Sequence, residues 1–221
     1  MMRGKRKLDV SFEASSILDE IKNVLIEKNI LVNEKIDNAN KDISIELKDK
    51  NNNVIGQMNG GVGEFKIIEN GDESEKDAFS ISWVKVEDNY KGYNLGTFLI
   101  IYCIYLVKIN FTDIEYIVLD DDSDGRDVNN NIYYKLGFIY QETKEVQLEN
   151  GTTTIVNTSP EMQLNINEFF NNDLLEKLNK IKMRIRTMVV GGKRKRKRKT
   201  RKNIKGKKSK KGKKGRSTRR H

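Results

Sequence analysis

The apolar positions of this chain fall into segments of two periods. Ile17, Ile21, Leu25 and Ile26 keep a helical spacing, and Ser15 or Ser16 is placed to cap a helix running to about Lys28. Ahead of it, residues 7–13 (KLDVSFE) read as a short strand. Residues 42–60 (DISIELKDKNNNVIGQMNG) alternate as strand, Asn-rich turn and strand, the signature of a hairpin. Residues 60–77, with GGVGEF and ENGDESEKD, read as a loop with room for one further short strand. In AFSISWVKVED (78–88), Phe79, Ile81 and Trp83 share one face while Val84 and Val86 have the opposite parity. A slip of one residue between Trp83 and Val84 is what a β-bulge produces, although a strand buried on both faces would need no strict alternation.

After the turn DNYKGYN, an apolar helix spans about Leu95 to Lys108 and EYIVLD forms a core strand leading into the acidic loop DDDSDG. Asp127 is placed to cap a short helix ending at Leu136, with Gly137 as its left-handed C-terminal residue. Phe138–Leu148 and Thr152–Leu164, separated by ENG, read as a closing pair of strands. Ile166, Phe170, Leu174, Leu178, Ile181 and Ile185 then mark an amphipathic helix with a restart near Asp173, and Gly191–Gly192 ends the pattern. The expected class is α+β, a central mixed, mostly antiparallel sheet flanked by helices. Its parts are a domain over 1–165, a C-terminal amphipathic helix over 166–190 and a disordered tail over 191–221.

Charge separates the tail from the rest. The last acidic residue is Glu176, and nineteen Lys and Arg fall between Lys193 and His221. Without those nineteen, residues 1–192 hold 23 basic against 32 acidic side chains, a balance of −9, so the overall +10 describes neither part. The tail has almost nothing apolar to bury and reads as disordered, suited to nucleic acid or another polyanion through residues 193–221, or to targeting and solubility. Without aromatic interleaving it has no means of reading base sequence. The single cysteine, Cys103, cannot form an internal disulfide and reads as a buried thiol, which points to an intracellular, reducing compartment, with nucleus or virion as candidate locations. MMRGKRK is followed by Asp9, Glu13, Asp19 and Glu20 rather than an apolar run, and the apolar stretch LGTFLIIYCIYLV is thirteen residues long. Neither a signal peptide nor a transmembrane segment is expected.

Two stretches bear on chemistry. In VEDNYKGYNLGTFLI, Lys91, Gly92, Asn94, Gly96 and Thr97 lie on a turn that opens a helix, where backbone N–H groups face an anion if side chains stay out of the way. In NIYYKLGF (131–138), Asn131, Tyr133 and Gly137–Phe138 enclose a short helix leading into a strand. The first resembles the pyrophosphate-binding turn of the GNAT superfamily of acetyl-CoA-dependent N-acetyltransferases, Gln/Arg-x-x-Gly-x-Gly/Ala, with Lys91 at the first position, Asn94 at the middle glycine and Gly96 at the last. The second is similar to that family's Tyr-x-x-x-Gly-Phe motif. The resemblance covers approximately residues 7–165. It implies acetyl-CoA as cosubstrate, held by Lys91, Gly92, Asn94, Gly96, Thr97 and Asn131, and an amine acceptor attacking the thioester directly. It further implies Tyr133 as the acid that protonates the departing thiolate, and a strand N–H at Val84 or Val86 polarising the carbonyl. Glu87 is the candidate general base, in a chain whose lone histidine is His221.

A rival pattern is DDDSDGRDVNNN. Asp120, Asp122, Asp124 and Gly125 fit the opening of a calcium loop, but the twelfth position is Asn131 rather than glutamate and a strand precedes it, so no metal is assigned and a strand-end turn shaping the acceptor site is preferred. The alternative to an active enzyme is a catalytically inactive scaffold whose tail binds or packages nucleic acid. The Asn/Ile/Lys-rich composition and the tail also resemble proteins encoded by large DNA viruses.

Overall fold

Helix α1 (Val10–Glu27) exists because Ala14, Leu18, Ile21 and Leu25 line up as one buried stripe. That stripe extends the helix toward the N-terminus, so residues 10–13 form its first turn rather than the expected strand. The computed structural model describes residues 10–121, 131–147, 153–157, 159–171 and 173–189. Residues 7–9, Asp122, Asp124, Asp127 and the tail 193–221 lie outside the described residues. Asn29, left-handed at φ 57°, ends α1, and the Ile30 N–H returns to the Leu25 carbonyl at 2.9 Å.

Four antiparallel strands follow: β1 (Leu31–Asp37), β2 (Asp42–Lys48), β3 (Val54–Glu69) and β4 (Asp72–Val86). The Asn-rich hairpin turn between β2 and β3 is as expected, with Asp49 accepting the N–H groups of Asn51 and Asn53 at 2.9 Å. β1 was not anticipated, since only Val32 and Ile36 on it reach the core, too few to show a period. The expected loop over 60–77 is instead the outer half of a long β3–β4 hairpin, closed by Asn70 and Gly71 at φ 53° and 92°. Two consecutive positive φ values are what a tight hairpin demands, and Asn-Gly supplies them.

This arm curls onto the sheet face opposite the helices. There Ile67 and Ala78 pack with Tyr116 and Val118 in a small second core. Gln163 donates to the Ile68 carbonyl at 2.6 Å and accepts the Ile68 N–H at 2.9 Å, and Gln141 donates to the Lys66 carbonyl at 2.7 Å.

The remaining elements are α2 (Leu95–Asn110), β5 (Tyr116–Asp120), α3 (Ile132–Leu136), β6 (Ile139–Tyr140), β7 (Thr143–Gln147), β8 (Thr153–Asn157), β9 (Glu161–Asn165), α4 (Ile166–Asn171) and α5 (Leu174–Arg186). The expected closing pair of strands is divided. β7 pairs only with β8, whereas β9 enters the main sheet between β5 and β6, giving the order β1-β2-β3-β4-β5-β9-β6. Alternation announces a strand but not its partner: Met162 and Leu164 turn toward the main core and Gln163 away from it. Every pairing is antiparallel except β4 with β5, which meet only at Phe79–Ile117 and Ser80–Val118. The result is the expected α+β arrangement, a mixed, mostly antiparallel sheet flanked by helices.

On the helix face, Ile43, Ile45, Met58, Phe79 and Ile81 form one core with α1, the largely buried α2 and the Leu174, Leu178, Ile181, Ile185 stripe of α5. Among the described residues, no helix is long and apolar enough to cross a membrane.

Candidate active site

A bulge interrupts β4 beside its split from β5. Gly60 pairs with Ile81 and Asn59 with Trp83, which leaves Ser82 without a partner. The slip therefore falls ahead of Trp83 rather than after it, and Trp83, 42% exposed, does not share the face of Phe79 and Ile81. Gly60 makes the close approach possible, because a Cβ there would lie 2.2 Å from the Ser80 carbonyl oxygen and 2.6 Å from the Phe79 ring. Beyond the bulge the Glu87 N–H bonds the Ile55 carbonyl at 2.9 Å on the β3 side. Alternation along the strand then directs the Val84 and Val86 N–H groups to the opposite edge, toward the split.

The chain leaves β4 through a short 3₁₀ turn, Asp88–Tyr90, and enters α2 through Gly92 (φ 81°) and Asn94 (φ 64°, ψ 22°). Asn94 takes the left-handed geometry the motif assigns to glycine. It makes no side-chain cap bond, and the first turn of α2 carries no acidic residue. The N–H groups of Leu95, Gly96 and Thr97 have no intrahelical acceptor, so this end of a sixteen-residue helix presents donors and positive dipole. A Cβ at Gly96 would meet only Val86 Cγ2 at 3.8 Å, which sets the turn directly beside the end of β4 and leaves its approach open. Lys91 is exposed and pairs with Asp88 at 2.7 Å.

Across from this turn sits α3. Asn131 caps it in place of Asp127, its Oδ1 accepting the N–H groups of Tyr133 at 2.7 Å and Tyr134 at 3.1 Å. The Asn131 amide is buried and donates to Asp121 and to the Tyr140 hydroxyl, and Tyr140 donates to the same Asp121 oxygen. Asn131 is thus committed to holding α3 rather than turned outward. Gly137 (φ 102°) closes α3, with its N–H on the Tyr134 carbonyl and the Phe138 N–H on that of Tyr133. Tyr133 is half-buried and packs edge-on to Phe138, ring centroids 6.1 Å apart.

A cleft of about 360 Å³ lies between these parts. Asn94 and Thr97 border it from α2, Ile132, Lys135 and Leu136 from α3, and Lys177, Lys180 and Ile181 from α5. Arg184 Nε donates to the Gly92 carbonyl at 3.0 Å, tying α5 to the turn. Lys177 and Lys180 are not marked as site residues by the sequence; their signal is the polar edge of the helix whose apolar stripe includes Ile181. Glu87 is half-exposed at the end of β4, paired loosely with Lys85 at 3.4 Å. Cys103 is fully buried and its thiol is pushed up by burial, so it takes no part.

On the opposite sheet face are two adjoining clefts of about 580 and 220 Å³ that share Phe65, Ser80 and the bulged Ser82. Asp37 and Asp42 border the larger, Asp120 and Glu161 the smaller. Of these carboxylates the sequence marks only Asp120, as the start of a calcium pattern. Among the described residues no group of three metal-ligating side chains occurs.

No family model matches the chain, and no curated protein matches it. Many solved structures are similar to it, and three illustrate the likeness. One is a bacterial toxin, 18% identical, covering 59% of this chain and 70% of that one at a TM-score of 0.44. Another is AtaT complexed with acetyl-methionyl-tRNAfMet, 9% identical, covering 66% and 76% at 0.42. The third is a putative acetyltransferase of the GNAT family from Desulfovibrio desulfuricans, 12% identical, covering 57% and 69% at 0.36. With TM-scores below 0.5, these likenesses carry no weight in assigning the site.

Proposed function

We propose that the chain is an N-acetyltransferase that moves an acetyl group from acetyl-CoA to a primary amine. The observation that carries this reading is the uncapped N-terminus of α2, entered through left-handed Asn94 and set against Val86 at the end of a strand split from its neighbour. Donors at Leu95–Thr97 suit the coenzyme's diphosphate. The split lets the thioester end pass beside β4, where the Val84 and Val86 N–H groups polarise its carbonyl.

The chemistry then needs the nitrogen to lose two protons and the sulfur to gain one. The acceptor ammonium gives a proton to Glu87, directly or through water, and its nitrogen bonds the acetyl carbon as the carbon–sulfur bond breaks. Tyr133 donates its hydroxyl proton to the departing thiolate and is reprotonated, through water, by the second proton the nitrogen loses as it becomes an amide. The tail 193–221 serves as an electrostatic tether to nucleic acid or another polyanion.

The test is a calorimetric titration of the full chain with acetyl-CoA. Saturable binding that is lost in Gly96→Trp, whose indole fills the open approach, supports the assignment. A Gly96→Trp chain that binds as the parent does sinks it.

A further inference from the structure

We infer that α5, which lies beyond the stretch the two motifs cover, is the cationic wall of the coenzyme site: Lys177 and Lys180, joined by Lys135 of α3, take the phosphate charge of the bound nucleotide thioester. The inference rests on the acetyl-CoA reading and adds residues to it. Three lysines from two helices converge on one cleft, together with the donor end of α2. Gathering like charges costs energy that an anion recovers, and the gain is sensitive to salt because Lys135 and Lys180 are exposed and Lys177 is partly buried. Among the described residues one of the three lysines has an ion-pair partner, Lys180 with Glu176 on its own helix at 2.5 Å, both exposed.

The floor of the same cleft is apolar, formed by Ile132, Leu136 and Ile181, and gives a flat base something to lie on while phosphates reach the rim. Helix α5 is also fixed where it must be. Ile181 and Leu178 are buried in the main core, Lys182 pairs with Glu20 of α1 at 2.7 Å, and Arg184 holds the Gly92 carbonyl. The lysines are therefore carried on a rigid helix that touches the turn itself. That division of labour assigns the diphosphate to the α2 N–H groups and the remaining phosphate to α5.

The experiment measures acetyl-CoA affinity of the full chain at low and high salt, in the parent, in Lys177→Gln/Lys180→Gln and in Lys177→Glu/Lys180→Glu. Neutralisation is expected to weaken binding about tenfold and reversal more than that, at an unchanged unfolding midpoint, with the gap narrowing as salt rises. A reversed variant that binds as tightly as the parent overturns the role of α5 and leaves the α2 turn standing. A loss that ignores salt and comes with a lowered unfolding midpoint also overturns it, since that is what a merely structural helix would show. A parent chain that binds no acetyl-CoA overturns the coenzyme reading itself, and this inference with it.

Discussion

On the helix side of the sheet, the candidate coenzyme turn is a single run of chain, Lys91–Thr97, set against one short helix and one long one. On the other face, the paired clefts are assembled from six strands, with Asp37 on β1, Asp42 on β2, Phe65 on β3, Ser80 and Ser82 on β4, Asp120 on β5 and Glu161 on β9. The first region brings lysines and helix N–H groups together, the second four carboxylates and hydroxyls with Lys35 and Lys66 among them. Opposite net charge on the two faces of the sheet suits the proposed transfer from a polyanionic donor to an ammonium acceptor. The two regions also differ in tolerance. The turn holds open space at Gly96, whereas the bulge is packed so closely at Gly60 that a glycine is required.

That contrast breaks first at Gly60. Gly60→Val drives its Cβ into the Ser80 carbonyl and the Phe79 ring, and nothing there is the flexible end of a side chain. The expected cost is about 3 kcal/mol or more, read as a large fall in denaturant midpoint or failure to accumulate folded protein. Gly96→Ala, with only Val86 Cγ2 at 3.8 Å, should fold as the parent does. Equal tolerance at the two positions would dissolve the difference between the turn and the bulge.

Next comes Tyr133. Its backbone is held at both ends of α3 and its ring is fixed against Phe138, so Tyr133→Phe removes the hydroxyl without moving the helix. Turnover, followed as thiol release in the presence of primary amines, should fall about 10²-fold, with acetyl-CoA binding nearly unchanged. Unchanged turnover would move the proton donor to Tyr134 or to water.

The same contrast explains what the sequence disclosed. Left-handed Asn94, the Gly137 cap and the bulge of β4 are local, so spacing and turn chemistry exposed them, the bulge with a small error because Trp83 faces outward. Strand order is not local. Nothing in the alternation of 153–165 says that β9 inserts between β5 and β6, and the acidic outer side of 69–77 hid a hairpin whose Asn70–Gly71 turn was legible. The α5 lysines escaped notice for a related reason: at helical spacing they look like any solvated edge until the fold sets them opposite Asn94. Asp37, Asp42 and Glu161 had no local partner that would mark them as anything but surface charge.

Asn94 sharpens the comparison at its finest grain. A non-glycine residue in left-handed geometry costs about 1 kcal/mol, less for asparagine than for most. Asn94→Gly removes that cost but gives the unfolded chain more freedom, worth about 0.5–1 kcal/mol in the other direction. Stability should therefore stay within about 0.5 kcal/mol of the parent. Asn94→Ala keeps a Cβ and loses the tolerance, and should lower stability by about 1 kcal/mol in denaturant unfolding. Binding separates the two ways in which Asn94 could serve the cleft it borders. If its role is only to bend the chain so that the Leu95–Thr97 donors face the phosphates, Asn94→Gly clears the approach and tightens acetyl-CoA by about two- to threefold, a few tenths of a kcal/mol. If its amide itself bonds the phosphate, the same substitution weakens binding. Asn94→Ala matching the parent in both stability and affinity would show that the left-handed entry to α2 is dispensable, and the turn would then lose its claim to the coenzyme.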